Sequence, residues 1–140
     1  NHESIKYFII GPAQSTSNLI GKILSLYYTL MALIRSFGLL YRTKPALIIG
    51  FGGYVSYPPL LVAKFLRIPI MLHEQNCFLG KVNHYFAKTS TTLCLSFKDT
   101  GNIPKNLPKS KIIVTGNPVR QEILEYKPKL QKKKSTKKTS

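Results

Sequence analysis

Three short segments carry side chains or backbone features able to do chemistry. The first is Gly50-Phe51-Gly52-Gly53-Tyr54-Val55-Ser56. Glycines at this density let a backbone turn sharply and bring N–H groups close to a phosphate, above all where a helix follows. A tight turn that merely needs positive φ reads the same way, and the spacing is not the GxGxxG dinucleotide pattern. The second is His73-Glu74-Gln75-Asn76. A His beside a Glu has the ingredients of an acid/base pair, although neighbours at a strand end point to opposite sides, which works against a direct relay. Four hydrogen-bonding side chains there require either a ligand or an internal network. The third is Gly116-Asn117-Pro118-Val119-Arg120, whose Arg can grip a carboxylate or diphosphate bidentately, and which a simple turn with a solvated Arg would equally explain.

The elements around these segments determine whether they meet. The apolar run Ile5–Ile10 ends at Gly11-Pro12 and predicts a strand. Ser15, Ser17 and Asn18 offer caps to a long helix from about Leu19 to Arg42. Twelve uncharged residues lie between Lys22 and Arg35. That stretch is shorter than the roughly 20 a bilayer span needs, so a core helix is expected. Pro45 stops the helix, and Ala46–Gly50 is a continuous apolar run of the kind found in parallel strands. A helix from about Pro58 to Leu66, a strand over Ile68–Leu72, a helix near Lys81–Lys88, and strands over Thr91–Leu95 and Lys111–Thr115 complete the order βαβαβαββ. Such alternation predicts an α/β fold, a parallel sheet with helices on both faces, and in such sheets ligands bind beyond the carboxyl ends of the strands. All three segments fall at that edge.

Composition narrows the partners. In 140 residues, 21 Lys and Arg against five acids give a formal charge of +16. Seven of those bases lie in Lys127–Ser140, a Ser/Thr-interleaved run with almost no apolar side chains, read as a disordered Lys-rich tail behind a folded unit at 1–126. The unit itself stays basic, so nucleic acid, an anionic membrane and a phosphorylated ligand all fit the charge. The bases outside the tail are scattered and no aromatic-plus-basic module is present, so nucleic acid is not expected. Cys77 and Cys94 have neither metal-site nor disulfide-framework spacing, which favours a reducing compartment. The opening Asn1-His2-Glu3-Ser4 is not a secretory signal and reads as a cut end.

Taken together, the segments resemble the peptidoglycan N-acetylglucosaminyltransferase family called MurG. Ile49–Ser56 is similar to its second glycine-rich loop. His73-Glu74-Gln75-Asn76, followed by Gly80 and Asn83, resembles its HEQNxxPGxxN signature. Thr115–Ile123 resembles its TGNPVR segment, and order and spacing agree from about Lys44 to Ile123. The resemblance implies a Rossmann-like, partial N-terminal domain of a GT-B glycosyltransferase. The implied reaction is transfer of N-acetylglucosamine from UDP-N-acetylglucosamine to lipid I, undecaprenyl-diphospho-muramoyl-pentapeptide, by inverting displacement without an obligatory metal or other cofactor.

Residue by residue, the resemblance implies that Gly52, Gly53 and Tyr54 border the acceptor diphosphate. It implies that His73 and Glu74 lie at the reacting sugars as catalytic groups, that Asn76 and Arg120 contact the donor, and that Gln75, Gly80, Asn83 and Asn117 shape the loops. It further implies peripheral attachment to the cytoplasmic face of the bacterial inner membrane, for which Tyr27, Leu30 and Leu33, beside Lys22, Arg35 and Arg42, form a candidate apolar patch with a basic rim. The same side chains at helical spacing fit an ordinary core face.

The chain departs from the family at Leu79, where the family has Pro, and at Tyr57, where it has Gly. The family's first glycine-rich loop, GGTGGH, has no counterpart between Asn1 and Leu47, and no donor domain follows Arg120. An incomplete or split copy completed by separate chains is therefore expected, with a degenerate, non-catalytic membrane-associated scaffold as the alternative.

Overall fold

The computed structural model describes residues 8–9 and 19–117. A 25-residue helix α1 (Leu19–Thr43) leads into strand β1 (Ile48–Gly50), a 3₁₀ turn (Tyr54–Ser56) and helix α2 (Tyr57–Phe65). Strand β2 (Ile70–Glu74), helix α3 (Lys81–Ala87), strand β3 (Thr92–Leu95), a second 3₁₀ turn (Lys109–Lys111) and strand β4 (Ile112–Val114) follow. The expected order is met from the long helix onward, and strand β2 runs two residues further than expected, through His73 and Glu74. The expected strand Ile5–Ile10, the cap residues Ser15, Ser17 and Asn18, and the tail Lys127–Ser140 lie outside the described residues, apart from Phe8 and Ile9.

The four strands form one parallel sheet in the order β1-β2-β3-β4. Its register places Gly50, Leu72, Leu93 and Ile112 in one row and Ile49 and Met71 in the next. Leu60 and Ala63 of α2, Val82, Phe86 and Ala87 of α3, and Leu79 before it join Ile70, Leu72, Leu93 and Leu95 in the core. A Cβ on Gly50 would lie 2.9 Å from a Leu60 methyl and 3.2 Å from a Leu72 methyl, so the glycine is what lets α2 sit this close to the strand. Of the helix cover expected on both faces, the described residues supply this one. On the other, Ile49 and Ile113 are exposed and Cys94 is buried.

Helix α1 packs on α2. Ala32, Ser36 and Leu40, four residues apart, form its buried row, and small side chains at two of the three allow close approach. Leu33 also packs against the core. The reading of this helix as too short to span a bilayer needs correcting: the charge-free stretch is short, but Gly21–Thr43 is long and apolar enough by length and composition. What marks it as a docked helix is the buried row, not its length.

Candidate functional site

The carboxyl edge gathers the three segments around His73, and Glu74 makes a second set of contacts within its own loop. The His73 ring lies against Phe51, with centroids 5.6 Å apart, and its Nε2 sits 3.2 Å from the Gly116 carbonyl. A carbonyl only accepts, so Nε2 donates and carries a proton. Nδ1 is buried and has no protein partner. One imidazole thus touches both the glycine segment after β1 and the Gly116 turn after β4. Gly116 has φ +74°, a conformation that favours glycine.

At the second contact, Glu74 points to the opposite side of β2, as adjacent strand residues must. It is 3 % exposed. Its Oε1 accepts from the Asn76 backbone N–H at 3.2 Å and from Asn76 Nδ2 at 3.0 Å. Its Oε2 accepts from the Gly80 N–H at 3.0 Å and from Asn83 Nδ2 at 2.9 Å. Burial pushes this carboxyl's pKa up, but the hydrogen bonds from Gly80, Asn83 and Asn76 outweigh it and hold the group below the usual carboxylate range. Four donors occupy the roughly four lone-pair sites of an ionised carboxylate. The geometry therefore separates the two residues that the family resemblance pairs as catalytic. His73 is near the glycine turn and Gly116, whereas Glu74 is the internal anchor of its own loop.

Gly52 and Gly53 adopt φ of +79° and +75°, and Gly53 caps the 3₁₀ turn that opens with Tyr54 and runs into α2. Tyr54 is exposed at 64 %, and the Ser56 hydroxyl donates to the Gly52 carbonyl. Asn76 is exposed, Gln75 half-buried, Gly80 caps α3, and Asn117 is exposed beside Gly116. Arg120, expected at the donor, lies outside the described residues. Among the described residues no three His, Cys, Asp or Glu side chains converge as metal ligands would.

Both departures from the family pattern are accommodated. Leu79 is fully buried, and its N–H donates to the Gly101 carbonyl at 2.9 Å, a bond that Pro could not make. Tyr57 opens α2 away from the glycine turn, with its ring against Tyr85 and Phe86 at 5.9 and 5.6 Å.

Of the proposed membrane patch, Tyr27 and Leu30 are exposed at 56 % and 54 %, while Leu33 is half-buried and packs against the core. Sequence reading missed an aromatic cluster: the Phe37 ring stacks on Tyr41 at 5.7 Å and lies 6.5 Å from Phe65 of α2, all three exposed. Phe37 and Tyr41 are four residues apart on α1, a legible signal. Phe65 is brought to them only by the packing of α2 on α1. Of the two acids among the described residues, Glu74 is internal and Asp99 is exposed.

Residues 2–94 match the family model described as the glycosyltransferase family 28 N-terminal domain. A relative from Rickettsia typhi, named UDP-N-acetylglucosamine--N-acetylmuramyl-(pentapeptide) pyrophosphoryl-undecaprenol N-acetylglucosamine transferase, is 48 % identical over 96 residues, which is 69 % of this chain and 25 % of the relative. The Rickettsia rickettsii protein of the same name is 45 % identical over 97 residues, 69 % of this chain and 26 % of its own length. The crystal structure of Acinetobacter baumannii MurG superposes with a TM-score of 0.57 at 31 % identity, covering 68 % of this chain and 26 % of that one. The chain thus spans about a quarter of the length of the curated relatives it matches.

Proposed function

Because the chain belongs to glycosyltransferase family 28 through its N-terminal domain, we propose that it provides the acceptor side of a GT-B enzyme that makes lipid II. That enzyme moves N-acetylglucosamine from UDP-N-acetylglucosamine onto lipid I at the cytoplasmic face of the bacterial inner membrane. The observation that carries this reading is the meeting of the glycine turn, the His73–Asn76 segment and the Gly116 turn at one edge of a parallel sheet.

In this reading, the backbone of Gly52, Gly53 and Tyr54 faces the acceptor diphosphate ahead of α2; the first turn of α2 itself, with Pro58 and Pro59, has no N–H to give there. His73 stands beside the reacting sugars, its ring held by Phe51 and by the Nε2 hydrogen bond to the Gly116 carbonyl. Glu74 acts by holding Asn76 and Gly80 in place. Asn76 and Arg120 serve the donor. The acceptor 4-hydroxyl displaces UDP with inversion, and the leaving diphosphate is stabilised by fixed donors. The family's first glycine-rich loop and donor domain complete the proposed cleft. Tyr27 and Leu30, extended by Phe37, Tyr41 and Phe65 and set on a basic surface, are the proposed contact with anionic lipid, worth about 1 kcal/mol per nearby Lys or Arg.

The test titrates the ¹⁵N-labelled chain with a short-prenol analogue of lipid I and with the same muramoyl-pentapeptide lacking the diphosphate. Gly52, Gly53 and Tyr54 amide signals should move with the first and not with the second; no movement with either would remove the acceptor assignment. Residues 1–140 alone should release no UDP, because they span about a quarter of the relatives' length and proximity of acceptor and donor sides supplies much of the rate. Release on adding a donor half from a relative supports the enzyme, and its absence in a complete mixture favours the scaffold. In that complemented system Arg120→Ala should lower kcat/KM at least about tenfold, or ~1.4 kcal/mol.

A further inference from the structure

Asn83, the third residue of α3, touches both halves of the site and is fully buried. Its Nδ2 donates to the His73 carbonyl at 3.2 Å and to Glu74 Oε2 at 2.9 Å. Both partners are acceptors, which fixes the end of the amide that is nitrogen. Its Oδ1 is buried without a protein partner. The amide also occupies the space beside Gly52, where a Cβ would lie 3.0 Å from Nδ2 and 3.5 Å from Oδ1.

Packing does not account for an amide here. The neighbouring buried positions of this segment are apolar, at Leu79, Val82 and Phe86, and a buried amide oxygen with no partner is a rarity that calls for a reason. Gly52 is the other half of the contact: its φ of +79° and its missing Cβ together make room for the amide. Beyond Asn83 the connection continues, because Glu74 receives Asn83 on Oε2 and Asn76 on Oε1.

We propose that Asn83 is a positioning residue that couples the glycine turn after β1 to the Glu74 loop after β2, through the chain of contacts Gly52, Asn83, Glu74, Asn76. The two segments belong to different crossovers: the β1–β2 ladder pairs them as far as Gly50 and Leu72, and beyond it the Asn83 amide against Gly52 adds to the contact of His73 with Phe51. A ligand that displaces the Gly52 turn is then felt at Asn76. That the coupled groups face acceptor and donor rests on the transferase reading; the coupling itself does not.

The test is a double-mutant cycle on the 140-residue chain, with Gly52→Ala and Asn83→Ala singly and together, followed by urea unfolding and by ¹⁵N–¹H spectra. Gly52→Ala should lower the folding constant at least about threefold more in the native background than in the Asn83→Ala background, because there only the positive-φ strain remains. Asn83→Ala should also shift the amide signals of Gly52, Gly53 and Tyr54 together with that of Asn76. Additive costs, or a shift at Asn76 with the glycine-turn signals unmoved, would show that Asn83 serves only its own loop and would overturn the proposal. Asn83→Ser, which keeps a small donor, replaces the alanine variant in the same cycle and with the same criteria if the latter does not fold. No substrate enters these measurements. A coupled cycle beside a silent lipid I titration therefore removes the transferase reading alone, and an additive cycle beside a positive titration removes the coupling alone.

Discussion

In the loop from Glu74 to Asn83, one carboxylate accepts four hydrogen bonds from three residues, and the apolar side chain of Leu79 is fully buried. Along α1, by contrast, Ile23, Leu26, Tyr27, Leu30 and Ile34 stand exposed, while Ala32, Ser36 and Leu40 are buried. The loop places polar groups inside and, apart from Asn83 Oδ1, satisfies them within the chain. The helix places apolar groups outside, where none of the described residues covers them. Residue choice in the first region answers an internal requirement and should register in stability. In the second it answers something beyond the described residues, and should register in binding.

The sharpest way to break this comparison is at Glu74. Glu74→Gln puts an NH₂ against donors that now meet an oxygen, and should cost about 2 to 4 kcal/mol in urea unfolding. A cost under about 0.5 kcal/mol would mean that the loop is not anchored there. The same group sets an acid limit. Folding favours its ionised form, since its folded pKa lies below the ordinary value of 4.5. Its contribution is therefore complete above about pH 4.5 and drains away as pH falls through the lower folded value. Unfolding midpoints measured from pH 6 to pH 3 should drop more steeply for the native chain than for Glu74→Gln, and parallel curves would contradict the assignment.

A smaller effect is expected at Ser36, whose buried hydroxyl has no partner. Ser36→Ala should raise stability by up to about 1 kcal/mol, because an unsatisfied group is removed with little change of shape. A loss of that size would reveal a partner for the hydroxyl. The smallest stability change belongs to Tyr27→Ser with Leu30→Ser, within about 0.5 kcal/mol per site as for other exposed positions. The same double variant, freed of Lys127–Ser140, should nonetheless cosediment less with anionic vesicles than its parent. Undiminished binding with an intact circular dichroism spectrum would return these side chains to an ordinary surface.

The parallel sheet was legible because buried parallel strands read as continuous apolar runs, as at Ala46–Gly50, and because glycine and proline mark their ends. The three segments at its edge were legible by type and position. Their wiring was not. His73 and Glu74 are neighbours in the chain, and only the pleat sends one toward Phe51 and Gly116 and the other into the core. Asn83 could be noticed as a polar residue in an apolar helix, but the place it fills beside Gly52 belongs to a segment thirty-one positions earlier.

Helix α1 shows the same division. Its length follows from an uninterrupted run of residues compatible with helix and from Pro45 just beyond its end. Which of its apolar side chains are buried depends on the approach of α2, which covers Ala32, Ser36 and Leu40, draws Leu33 toward the core, and leaves Tyr27 and Leu30 outside. Local periodicity determines which elements form, because it acts through hydrogen bonds and rotamers within a few residues. Contacts between elements determine what each face does, because burial and hydrogen-bond satisfaction are decided by groups far apart in the chain.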